Sequence, residues 1–97
     1  MPRVKITREA RDELREAARW YHEQVAGLGR HLVDAVHRVI QDIAGSPLRF
    51  AVVHRDVRRA LVGRFPYGVF FRISEGGGIV VLAILHLARD PARWMER

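Results

Sequence analysis

Residues 79–86 read Ile-Val-Val-Leu-Ala-Ile-Leu-His, an almost unbroken apolar run that follows a triple glycine. A run this short cannot cross a bilayer, which needs about 20 apolar residues. Its length and β-branched content predict a strand instead, and one that is apolar on both of its faces. Helices packed on a sheet in two layers cover only one of those faces. The other therefore needs its own cover. A partner would supply one; the tail residues Leu87, Trp94 and Met95, folding back, would supply another.

The preceding segments extend the same pattern. Residues 58–62 (Arg-Arg-Ala-Leu-Val) predict a strand, Gly63-Arg64-Phe65-Pro66 a turn, and residues 67–73 a second strand. Alternation puts Tyr67, Val69, Phe71 and Ile73 on one face and Gly68, Phe70 and Arg72 on the other. Residues 74–78 read as a hairpin loop. The first half is helical. Ala10, Leu14, Ala17, Ala18, Tyr21 and Val25 recur at three- and four-residue steps, with Thr7 as N-cap and Glu9, Asp12 and Glu13 in the first turns. Arg8–Asp12 and Glu16–Arg19 are spaced to form ion pairs on the outer side. Gly27 and Gly29 break this helix, and Leu32, Val33, Val36, Val39, Ile40 and Ile43 form the stripe of a second, ended by Gly45-Ser46-Pro47. The connection of about five residues implies an antiparallel helix hairpin. Val4 and Ile6 make a short opening strand, and Pro91 would start a helical turn in the tail. The expectation is a single α+β domain over residues 1–97: two layers, β-α-α-β-β-β, a helix hairpin on a three-stranded antiparallel meander.

Composition sets the remaining limits. A chain of 97 residues supports one core. It has no cysteine and no N-terminal apolar stretch of the signal-peptide kind, so a reducing cytoplasm is the expected setting, away from membranes. The net charge is +6, and sixteen of the seventeen cationic residues are arginine. Residues 1–48 carry a net +1 and residues 49–97 a net +5, so an anionic partner is expected at the second half. Arginine is suited to that role because its planar fork grips phosphate or carboxylate bidentately.

Two segments carry a family resemblance. Arg64-Phe65-Pro66-Tyr67-Gly68-Val69-Phe70-Phe71-Arg72-Ile73, and the run from Val80 to Pro91 that contains Leu85-His86-Leu87-Ala88-Arg89-Asp90, resemble paired segments of the RelE/ParE toxin superfamily, at matching spacing. The resemblance implies the toxin half of a type II toxin–antitoxin pair, with a cognate antitoxin wrapped around it and the first strand beside the last. It also implies one of two activities. RelE-like members cut messenger RNA on the ribosome; ParE-like members inhibit DNA gyrase by binding. RelE-like members commonly place an arginine after the central-strand tyrosine, where this chain has Gly68, and their tail tyrosine has no clear counterpart beside Trp94 and Met95. Both departures favour the ParE-like branch.

RNA cleavage needs a base, a proton donor and cations around the phosphate. The residues available are His86, Arg89 and Arg58, with His54, Arg59 and Arg72 in reserve. His86 is equally suited to being a buried, backbone-bonded histidine, and Arg72 to pairing with Glu75. Arg58 and Arg59 point to opposite faces. As binding residues for target or antitoxin, the candidates are Arg58, Arg59, Arg64, Arg72, Arg89, Arg93, Trp94 and Trp20. Trp20 lies off the first helix's apolar stripe, which suits a partner anchor as well as a core residue. No three convergent ligands suggest a metal site, and no cofactor is expected. Two further readings stay open: a degenerate toxin that only binds antitoxin and DNA, and a homodimer formed through the apolar sheet face when antitoxin is absent.

Overall fold

The computed structural model describes residues 2–88 and 92–97. Thr7 organises the first corner. Its hydroxyl oxygen accepts from the Ala10 N–H at 3.1 Å, capping the helix that follows, and the hydroxyl itself donates to the Leu82 carbonyl. Its own N–H donates to the Val81 carbonyl at 3.1 Å. One residue thus ends strand β1 (Val4–Ile6), starts helix α1 (Arg8–Gln24) and ties both to the last strand. On the outer side of α1 the ion pair that forms is Asp12–Arg15, at 3.2 Å, rather than Arg8–Asp12 or Glu16–Arg19.

Helix α2 (Leu28–Gly45) follows after three residues, not five. Gly27 makes this possible with a φ of 89°, a left-handed turn that glycine adopts without steric cost. Val25, expected on the buried stripe, is the exposed C-cap residue of α1 instead. Gly29 lets the two helices touch: a Cβ there would lie 2.1 Å from the Ala18 carbonyl oxygen. The facing stripes then bury Ala10 and Ala17 against Leu32, Val36, Ile40 and Ile43.

The remainder is sheet. Strands β2 (Val52–His54), β3 (Val57–Leu61), β4 (Tyr67–Ile73) and β5 (Ile79–His86) form with β1 a five-stranded sheet in the order β1-β5-β4-β3-β2. β1 runs parallel to β5 and the other pairs are antiparallel. The α+β order and the placing of β1 beside β5 are as expected. The meander gains a fourth strand, β2, which the sequence reading left out, and β3 starts one residue earlier than expected. β2 has only three residues, a register shift at Val53, and a positive-φ Arg55 after it, so no alternating stretch long enough to recognise exists.

β5 is covered on both faces through a bulge. Phe70 faces Ala83 and Phe71 faces Val81, which leaves Leu82 as the extra residue. Ile79, Val81 and Ile84 consequently join the core under the helices, with Val69 and Phe71. Leu82, Ala83 and Leu85 join a second cluster on the outer face, with Val57, Phe70 and Trp94. Trp94 belongs to the short tail helix α3 (Ala92–Met95) and stacks on Phe70, with ring centroids 4.5 Å apart. Stacking of this kind contributes about 1 kcal/mol beyond burial. The chain thus provides the outer cover from its own tail. Of the three tail residues expected to fold back, only Trp94 is buried; Leu87 and Met95 stay substantially exposed.

Gly29→Ala is expected to destabilise the fold by about 3 kcal/mol through overpacking against Ala18. Gly45→Ala, in open space within the last turn of α2, is expected to be neutral or stabilising by up to about 1 kcal/mol. Urea denaturation of the two variants measures both.

Candidate functional site

Strand alternation distributes the arginines of the second half. Arg58 lies on the helix-facing side of β3, where its guanidinium donates to the Phe50 carbonyl at 2.7 Å and holds the loop before β2. Arg59, its neighbour, is on the outer face, as expected. The Arg59 stem lies across Gly68: a Cβ added at Gly68 would meet Arg59 Cγ at 3.3 Å and Leu87 Cδ2 at 3.1 Å. That backbone position is therefore buried as well as bare. Arg64 is exposed in the β3–β4 turn, with a φ of 75°. Arg72 does not pair with Glu75. Its Nη2 donates to the Arg97 main-chain oxygen at 3.1 Å, and its Nε lies 3.6 Å from an Asp56 carboxylate oxygen. Arg89 lies outside the described residues. Arg59 and Arg72 thus share the outer face, Arg58 lies on the opposite one, and Arg64 sits in the turn.

His86 and Arg93 do share a site. A cavity of about 450 Å³ opens between α1, the ends of β4 and β5, and α3. Its floor includes Ala17, Tyr21, Tyr67 and Ile84; Trp20 and His86 flank it; and Glu16, Glu23, Arg19 and Arg93 edge it. A third lining carboxylate, Glu13, is taken by Arg97, and Glu16 and Glu23 then balance Arg19 and Arg93, which gives a phosphate no net attraction. His86 meets Tyr67 edge-on at 5.4 Å, and its Nδ1 accepts the Ala88 N–H at 3.1 Å. With that lone pair engaged, the neutral ring offers an Nε2–H donor rather than a base. Trp20 is 55% exposed, with the edge of its ring on Tyr21, so it is no core residue. Trp94 is the reverse: it is buried, stacked on Phe70 and edge-on to His54. Among the described residues no group of three or more His, Cys, Asp or Glu could hold a metal ion.

The strongest polar contact of the region involves two residues the sequence reading did not select. Arg97 grips Glu13 bidentately, at 2.9 and 2.7 Å, and also donates to the Leu82 carbonyl at 3.0 Å. Glu13 in turn accepts the Ile84 N–H at 3.1 Å. The pair closes a seam between α1, the β5 bulge and the tail. A signal did exist: Glu13 falls within the apolar stripe of α1, between Ala10 and Ala17. The hydrogen bond to Glu13 raises the Arg97 pKa above its ordinary value, against partial desolvation that lowers it. Stability from a raised cation is complete below its unfolded pKa and is lost only as pH rises through the folded one. The Arg97 side of the seam therefore stays charged through neutral pH.

The chain is thus a five-stranded sheet backed by a helix hairpin, with a mixed-charge cavity beside α1. Comparison with known proteins identifies its family. Residues 4–91 match the family described as ParE toxin of type II toxin-antitoxin system, parDE. The chain belongs to the ParE toxin family. Its fold is similar to a solved structure described as "Chromosomal ParDE TA system from P. aeruginosa", with a TM-score of 0.67 and 22% identity over 89% of this chain and 96% of that one. No curated protein matches at a significant level. Among the described residues no helix is long and apolar enough to cross a membrane.

Arg97→Ala is expected to lower stability by about 2 kcal/mol, because Glu13 is left partly buried without its partner. Adding Glu13→Gln should recover part of that loss. Chemical denaturation of the single and double variants measures the coupling.

Proposed function

We propose that this ParE-family chain acts as a gyrase-inhibiting toxin in the cytoplasm, working by binding rather than turnover and neutralised by a cognate antitoxin. The observation that carries the reading is where the arginines sit: Arg58 is on the helix-facing side, Arg64 is in the β3–β4 turn, Arg59 and Arg72 are on the outer sheet face, and none of the four joins His86 in the cavity. A cutting site needs those cations around one phosphate. A binding surface instead profits from spread positive charge, which steers association with an acidic partner. Gly68 supports the same branch, since Arg59 and Leu87 fill the space where a strand side chain would project.

The alternative, a ribosome-dependent mRNA endonuclease, draws on His86 and Arg93 lining one cavity. A homodimer through the outer sheet face draws less support, because Trp94 already covers that face.

Induced expression without antitoxin should arrest growth, and co-expression of the antitoxin should restore it. Purified chain should inhibit DNA supercoiling by gyrase, and His86→Ala should retain that inhibition within about twofold, since the His86 side chain is assigned no role toward gyrase. Unimpaired gyrase, together with codon-linked message cuts that vanish in His86→Ala on primer extension, would establish the endonuclease instead. Normal growth without antitoxin would mark a degenerate toxin.

A further inference from the structure

We infer that the far end of β5, from Ile84 to His86, is a docking edge for one short extended segment of the antitoxin, added parallel to β5 in line with β1. This inference rests on the antitoxin reading above and specifies where and how part of that partner binds.

The argument starts from main-chain bonding. β1 pairs with β5 only as far as Ile6 opposite Val81, whereas β5 continues for five more residues. On that side the next polar groups are met by substitutes: Thr7 and Arg97 donate to the Leu82 carbonyl, and Glu13 accepts the Ile84 N–H. The substitutes stop there. The Leu87 N–H donates across to the Pro66 carbonyl, so Leu85 takes the bonded position opposite Gly68, and the main-chain groups of Ile84 and His86 point away from β4. Among the described residues nothing meets the Ile84 carbonyl or the His86 N–H. These two groups flank Leu85. A single residue of a parallel strand addresses such a pair, giving its N–H to one and its carbonyl to the other. β1 already uses this parallel mode one step earlier along the same edge.

The surroundings indicate the kind of segment. The cavity adjoins this edge, so a side chain of the added strand would enter between Ala17, Trp20 and Ile84. The apolar floor and the half-exposed indole fit an aliphatic or aromatic side chain, and the balanced rim suits a segment without strong local charge. Main-chain bonds would give affinity and the cavity selectivity, as in other strand additions.

The test uses the complex of the full chain with its antitoxin. Amide exchange at His86 is expected to slow at least tenfold on complex formation. Trp20→Ala, at an exposed position that leaves the fold intact, should raise the Kd about tenfold, the size expected of a central anchor. If the two chains form no complex, the antitoxin reading falls and this inference falls with it. If they form a complex in which His86 exchanges as in the free chain and Trp20→Ala binds normally, the antitoxin reading stands and the docking edge is overturned. A helix seated in the cavity would give that second result at His86.

Discussion

Double-sided burial of β5 is the constraint on which the architecture turns. One strand supplies residues to both cores, and the bulge at Leu82 decides which side chain goes where. The helices α1 and α2 cover the inner side. The outer side depends on one indole, Trp94, and on the charge pair that holds its helix in place. The tail is therefore a structural layer in miniature. Without it, Phe70, Leu82 and Leu85 would face water, and a chain of this size has little other apolar burial to offset the loss.

The first half of the chain was the more legible. Helical periodicity, the Thr7 cap and the glycine break all act locally, so the pattern of residues reports them directly. The turn was shorter than expected because left-handed Gly27 reverses the chain within three residues. β4 and β5 were readable to the residue for the same local reason, as alternation bounded by turn residues. β2 was not, because a three-residue edge strand interrupted by a register shift has no period to detect.

The site was less legible than the fold, and the reason is physical. Alternation told that Arg58 and Arg59 diverge, and they do. It could not tell that Arg72 would turn to the tail instead of Glu75, because that choice depends on where a helix distant in sequence comes to rest. Glu13 and Arg97 lie 84 positions apart, and only folding brings them together. What the sequence offered was one acid in an apolar stripe. The cavity likewise draws on α1, β4, β5 and α3 at once, so no linear motif encodes it.

The Glu13–Arg97 clasp also has a temporal meaning. Its two halves come from opposite ends of the chain, so it closes only after residue 97 has cleared the ribosomal exit tunnel. Until then the Glu13 carboxylate and the Leu82 carbonyl lack their guanidinium, and the indole that seals the outer layer has no fixed berth. The clasp is thus a late step, closed only after every strand of the sheet has been made.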